Sequence, residues 1–191
     1  MVIGQQQAKG PGAAHSAGAR QPAPSRDGAA GDPDLSRALA IAGAVPDPEI
    51  PAVTLADLGM LRGVERRDGA IVVKLTPTYT GCPATLTIRL DVEAALLGAG
   101  LADARVEIVL SPAWTTDDIT PEGREKLRAY GIAPPPAGAG KGALLFGTET
   151  VACPQCASTQ TSRISEFGST PCKALWRCDD CREPFDVFKC L

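Results

Sequence analysis

AIVVKLTPTYTGCPATLTIRLDVEAALLGAGLADARVEIVLS, residues 70–111, is the stretch from which the fold can be read. AIVVKLTPT is rich in β-branched residues and reads as a buried strand. TYTGCP is a loop. ATLTIRLDVEAALLGAG predicts a helix of about four turns, stopped by Gly98 and Gly100. ARVEIVLS then alternates, with Val106, Ile108 and Leu110 inward, as the next strand. Upstream, Leu58, Met60 and Val64 with the charged run ERRDG predict a strand that enters a turn at Asp68-Gly69. Further out, DLSRALAIAGAV is apolar at Leu35, Ala38, Leu39, Ala42 and Val45, which is helical spacing, and PDPEIP ends that helix. Downstream, TPEGREKLRAYG is a short helix with Thr120 as N-cap, Pro121 at the first helical position and Gly131 at the stop. A hairpin followed by a crossover predicts an α+β fold, a small mixed sheet covered by helices, over residues 34–133.

The flanks have a different composition. Residues 1–33 hold Gly, Ala, Gln, Pro and Ser without an apolar period, and are expected to be disordered. The single histidine, His15, lies there and reads as incidental. Residues 134–150 begin as a Pro/Gly-rich linker. The net charge of −3 argues against a general binder of nucleic acid or anionic membrane. No apolar run approaches the ~18 residues a membrane span requires, and no signal peptide is evident, so a cytoplasmic location is expected. In that compartment thiols stay reduced, so paired cysteines read first as ligands or redox groups.

Six of the seven cysteines fall in residues 153–191, CPQCASTQTSRISEFGSTPCKALWRCDDCREPFDVFKCL. Cys153-x-x-Cys156 and Cys178-x-x-Cys181 are two knuckles separated by 21 residues, the pattern of a four-cysteine site. Two cysteines three apart can face one ion, and soft thiolates favour zinc. The segment between them, with Ile164, Phe167, Leu175 and Trp176, is too small to form a core alone, so a metal is expected to take that place. The expectation for residues 151–191 is a structural zinc ribbon. An iron–sulfur cluster on the same thiolates is the competing reading. Five cations in the tail balance five acids, which disfavours a nucleic-acid-binding ribbon. Cys172 and Cys190 read either as buried small hydrophobes or as an accessory thiol pair that passes or senses metal.

Cys82 is the remaining thiol. Pro83 suits a first helical position, which makes Cys82 the expected N-cap, with a pKa depressed by the helix dipole. Asp47 and Glu49 in PDPEIP place two acids on a loop between elements.

Residues 47–65, DPEIPAVTLADLGMLRGVE, followed by LTPTYTGCP at 75–83, resemble the small iron–sulfur assembly domain of the SufT type, which carries a DPE motif and a Thr-rich loop ending in Cys-Pro. LSPAWTTDDIT at 110–120 and the cysteine-rich tail resemble the PaaD (also called PaaJ) family, encoded with the ring-1,2-phenylacetyl-CoA epoxidase. Where that family's loop reads WTTDWI, this chain has WTTDDI, with Asp118 in the aromatic's place. The resemblance implies a role in aerobic phenylacetate breakdown, with Cys82, Asp47, Glu49 and Thr80 as the functional thiol and its loops. It implies the epoxidase's oxygenase and reductase subunits, and iron–sulfur assembly proteins, as partners. The sequence has no Gly-rich dinucleotide loop, no plant-type ferredoxin cysteine spacing and no Glu-x-x-His pair. The resulting expectation is an accessory protein that is not itself catalytic. It would mature or repair the epoxidase's centres, with structural zinc and a transient iron or iron–sulfur cargo. A stable non-catalytic subunit and a zinc-ribbon regulator are the alternatives.

Overall fold

The computed structural model describes residues 32–135 and 150–189. Residues 1–31, with His15, most of the expected linker (136–149), and Cys190 with Leu191 lie outside the described residues. Asp32 falls inside the segment expected to be disordered, yet it has a structural role. Its carboxylate accepts the Asp34 N–H at 2.9 Å and caps helix α1 (Pro33–Ala44), while Pro33 supplies a preset φ at the first turn. Leu35, Ala38 and Ala42 form the buried face of α1.

Strands β1 (Leu61–Arg67) and β2 (Ala70–Leu75) make the expected antiparallel hairpin. Asp68 and Gly69 both have positive φ, 53° and 84°, the backbone that a two-residue hairpin turn requires. Helix α2 (Thr85–Gly98) crosses over to β3 (Arg105–Ile108), which pairs parallel with β2, giving the sheet order β1-β2-β3. The central strand is buried on both faces at Val72 and Val73, which explains its continuous apolar run. Val106 is buried as expected, but β3 ends at Ile108 and Leu110 is exposed. The chain leaves the sheet there, so the period-2 pattern no longer reports an inner face.

Asp118 has a clear structural role. It closes a capping box around a short 3-10 turn, Thr116–Asp118, accepting the Thr115 N–H at 2.7 Å. The same carboxylate receives both terminal nitrogens of Arg62 at 3.1 and 3.2 Å, and the Arg62 side chain is only 6% exposed. The departure from the family loop thus supplies the counter-charge of a buried guanidinium. Gly59, with φ +65°, is required beneath this turn, because a Cβ there would lie 2.0 Å from the Asp118 carbonyl oxygen. Helix α3 (Pro121–Ala129) follows, and the Thr120 hydroxyl accepts the Gly123 N–H at 3.0 Å as its N-cap.

The second sheet contains a strand from each part of the chain. Strands β5 (Thr161–Ser165), β6 (Lys173–Cys178) and β7 (Pro184–Phe188) are antiparallel neighbours. Strand β4 (Ile132–Ala133), directly after α3, pairs parallel with β7, giving the order β4-β7-β6-β5. Ala133, Val151, Ala174, Trp176, Phe185 and Val187 pack with Cys153 and Cys178 in a small core of this sheet. Ile164 and Phe167 are exposed, and Phe167 stacks under the Lys189 ammonium at 4.2 Å. At the other end of the sheet, Phe188 and Cys172 belong to the main core. Phe188 meets Trp114 edge to face at 5.9 Å, and the Trp114 indole N–H donates to the Leu58 carbonyl at 2.7 Å. Among the described residues, no helix is long and apolar enough to cross a membrane.

Candidate functional site

The sulfurs of Cys153, Cys156, Cys178 and Cys181 all lie within 4.8 Å of one another. Cys153–Cys181 is 3.8 Å and Cys156–Cys178 is 3.6 Å. Thiolates at ~2.3 Å from one ion, at tetrahedral angles, stand ~3.8 Å apart. The donor set therefore fits a single tetrahedral metal ion. A cluster of several irons needs opposed thiolates wider apart. The Cys181 N–H donates to the Cys178 sulfur at 3.5 Å, and this bond, helped by the Asp180 N–H and opposed by burial, draws Cys178 down to about 7. Cys153 and Cys178 are buried while Cys156 and Cys181 face solvent, so one side of the site anchors the small core.

Cys172 and Cys82 both lie at the main core, Cys172 within it and Cys82 against it. Asp47 is 8% exposed, and its Oδ1 accepts the N–H groups of Glu49 and Ile50, each at 2.9 Å. That turn fixes the direction of Glu49, whose Oε2 receives the Cys172 thiol at 3.6 Å. The Thr170 hydroxyl lies 3.0 Å from the same sulfur. Cys82 packs against the main core, as does Tyr79. Burial, then the neighbouring Cys82, Cys172 and Glu49, push the Tyr79 hydroxyl up to about 12. Burial is also the main cause that pushes Cys172 up to about 11 and raises Cys82. Asp47 is raised for the same reason, against the pull of its two N–H bonds and of Lys173.

Two expectations for Cys82 are corrected here. It is not the N-cap of α2: the helix begins at Thr85 with Ala84 as its capping residue and no side-chain cap. Cys82, Pro83, Ala84 and Thr85 form a tighter turn closed by Thr85 N–H to the Cys82 carbonyl at 3.2 Å. The thiol pKa is also raised rather than depressed. The Ala84 N–H and the Thr85 hydroxyl pull it down, but burial outweighs them, with the Glu49 and Asp47 carboxylates adding to the rise. Of the four loop residues, Asp47, Glu49 and Cys82 are buried or half-buried, while Thr80 is exposed. Tyr79, one residue earlier, is the side chain that meets the thiol. The signal for it was an aromatic inside a Gly/Thr/Pro loop, where no packing helix or strand accounts for a ring. Cys172 joins the site through β6, and Cys190 lies outside the described residues.

Comparison with known proteins matches the two parts of the chain to two families. Residues 37–108 match the family described as iron-sulfur cluster assembly protein, and residues 137–189 match the PaaD zinc beta ribbon domain. A protein of Escherichia coli (strain K12), described as one of the subunits of a "Putative 1,2-phenylacetyl-CoA epoxidase", is 49% identical over 159 residues, which is 83% of this chain and 94% of that one. Among solved structures, a DUF59 domain from Bacillus anthracis is 26% identical, covering 49% of this chain and 91% of its own, with a TM-score of 0.46. A solution structure from Mycobacterium tuberculosis, of a protein associated with Fe–S complex assembly and repair, is 37% identical over 50% of this chain and 82% of its own, with a TM-score of 0.30. With an assembly domain followed by a four-thiol ribbon, and near half identity along almost the whole of a relative, the chain belongs to the PaaD family of phenylacetyl-CoA epoxidase subunits.

Proposed function

We propose that the chain is an accessory protein of a phenylacetyl-CoA epoxidase system that matures or repairs the iron or iron–sulfur centres of its oxygenase and reductase subunits. The observation that carries this reading is the junction: the acid loop of Asp47 and Glu49, the Cys82 loop and the ribbon's Cys172 converge around Tyr79. A protonated, half-buried thiol beside a carboxylate suits a cargo that is held and released. The ribbon's four thiolates suit a resident ion, and we assign it as structural zinc because its closed tetrahedron leaves no open position for chemistry. The test is turnover by epoxidase reconstituted from fully metallated subunits, with and without this protein. Maturation predicts no dependence on the protein once the subunits are loaded, and a strong dependence when they start as apoproteins. A stoichiometric requirement with loaded subunits overturns it.

A second reading, a stable non-catalytic subunit, is favoured by one feature. Leu86, Leu90 and Leu97 lie on one outward stripe of α2, opposite the buried Ile88, Val92 and Leu96, and are 55–64% exposed. Co-purification in fixed stoichiometry with active epoxidase, abolished by Leu90→Glu, would support that reading over transient action.

A further inference from the structure

We propose that helix α2 pairs antiparallel with the same helix of a second copy of this chain, across a two-fold axis near Asp91. This pairing is independent of the maturation role proposed above.

Helix α2 (Thr85–Gly98) is apolar on two opposite faces. Ile88, Val92 and Leu96 face inward and are buried. Leu86, Leu90 and Leu97 face outward, 64%, 55% and 63% exposed, and Ala94 lies exposed between the last two. At about 100° per residue, these four positions fall within about a quarter of the helix circumference. Among the described elements α2 packs against α1 and β3, which leaves the outer stripe uncovered. A helix that is apolar on both faces is suited to burial on both.

The charges beside the stripe define what covers it. Arg89 and Glu93 sit on one flank, one turn apart. Asp91 is exposed on the other flank, about 100° round from Leu90. In a two-fold antiparallel pair, each flank meets the same flank of the partner, reversed in direction. Arg89 then stands opposite the partner's Glu93, and Glu93 opposite the partner's Arg89. Both side chains keep hydrogen-bonding capacity for this. Arg89 Nε donates to Glu93 Oε1 at 3.1 Å, and the same oxygen accepts the Val106 N–H at 3.2 Å. Among the described residues, the terminal nitrogens of Arg89 and the Oε2 of Glu93 have no partner.

The apolar and the charged features share one centre. The midpoint of Leu86 and Leu97 falls between residues 91 and 92, and that of Arg89 and Glu93 falls at 91. A single axis therefore sets Leu86 against the partner's Leu97, Leu90 beside the partner's Ala94, and both ion pairs on the same flank. Contact with an unrelated surface does not require a common centre, whereas a self-complementary two-fold interface does. The 14 residues of α2 span only ~21 Å, so the pair buries less than a standard interface and should be weak and concentration-dependent.

The experiment uses the full chain with its ribbon metal bound, in sedimentation velocity from ~1 to ~200 μM. The expected result is a monomer–dimer equilibrium within that range. Leu90→Glu should weaken it by ~30-fold or more, and Arg89→Glu by ~5–10-fold. Leu86→Lys and Leu97→Glu should each weaken it. An equimolar mixture of those two variants should recover association, because the new charges of opposite sign then face each other. All four positions are exposed, so the variants should keep the circular dichroism and melting temperature of the wild type. A chain that stays monomeric at ~200 μM overturns the pairing, as does a dimer that Leu90→Glu leaves unchanged. Weakened variants without recovery in the mixture overturn the antiparallel arrangement. A wild type that is monomeric alone but binds an epoxidase subunit through Leu90 gives the stripe to that partner and overturns the second copy.

Discussion

The two groups of thiols in this protein stand in different environments. In the ribbon, four sulfurs crowd within 4.8 Å, and Cys178 accepts an N–H that draws it down to about 7. At the junction, Cys82 and Cys172 sit in largely apolar surroundings beside carboxylates, and burial drives Cys172 up to about 11. The residue type is the same and the backbone decides the outcome. In the knuckles, N–H groups aimed at Cys178 lower the cost of ionising it, while burial and the crowded neighbouring thiols push Cys181 up to about 12 and raise Cys156, so one thiolate forms first. A thiol packed into a core has no such donors in sufficient number and stays protonated.

The sharpest test of that contrast is Cys178→Ser. Loss of one of four ligands should release the ribbon metal and unfold residues 150–189, because metal binding supplies on the order of 10 kcal/mol or more to such small modules. Residues 34–133 should keep their fold, while Trp114 loses its ring partner Phe188 and its fluorescence changes. Metal content, limited proteolysis and Trp emission check this, and retention of stoichiometric metal with a protease-resistant tail would erase the contrast.

Phe188→Ala tests whether the two regions are mechanically joined. Phe188 is 1% exposed in the main core although it ends a ribbon strand. Its truncation should lower the stability of the whole protein by ~3–5 kcal/mol. In urea, the wild type should unfold in one transition and the variant in two. Two transitions already in the wild type would show the modules to be independent.

Thiol reactivity reads the electrostatic half of the comparison. With the ribbon loaded, Cys172 at about 11 should have a thiolate fraction at neutral pH lower by roughly 300-fold than a free thiol near 8.5. Its alkylation should be much slower than that of free cysteine, with Cys82 also slower. Fast labelling of Cys82 at neutral pH would restore the helix-dipole expectation that the structure corrects.

The smallest effect belongs to Asp47. Its folded pKa is raised above the ordinary 3.8, by burial first. The proton that the folded state holds more tightly stabilises it fully below the unfolded pKa, and that stability is lost as pH rises through the folded pKa. Glu49, Cys82, Cys172 and Lys173 are the charged or titratable groups facing it. Asp47→Asn keeps an oxygen acceptor for the Glu49 and Ile50 N–H groups. It should therefore gain in melting temperature relative to wild type as pH rises from about 4 to about 7, and lose that gain in acid.

Much of the fold was legible because local rules and tertiary packing agree. The Asp68-Gly69 turn, the Thr120 cap and the four-turn helix after the Cys82 loop each follow from short-range sterics and hydrogen bonding. The errors lie where burial competes with a local preference. Pro83 promised a helix start at Cys82, but the chain closes a tighter turn first, and desolvation then overrides the dipole. Leu110 continued an alternating pattern past the end of its strand. The ribbon segment was read as too small to form a core alone, and it completes one with Ala133 and Val151 from outside that segment.

By itself, the sequence determined the α+β assembly domain, the spacing of the two ribbon knuckles and the family, because each depends on residues close in the chain. Only the tertiary structure decided that β4 joins the ribbon sheet, that Tyr79 rather than Thr80 faces the thiol, and that Cys172 meets Glu49 across 123 positions of sequence. Spacing along a chain carries no information about such a contact. It is fixed by which apolar faces bury each other, here Phe188 and Cys172 entering the core beside Trp114.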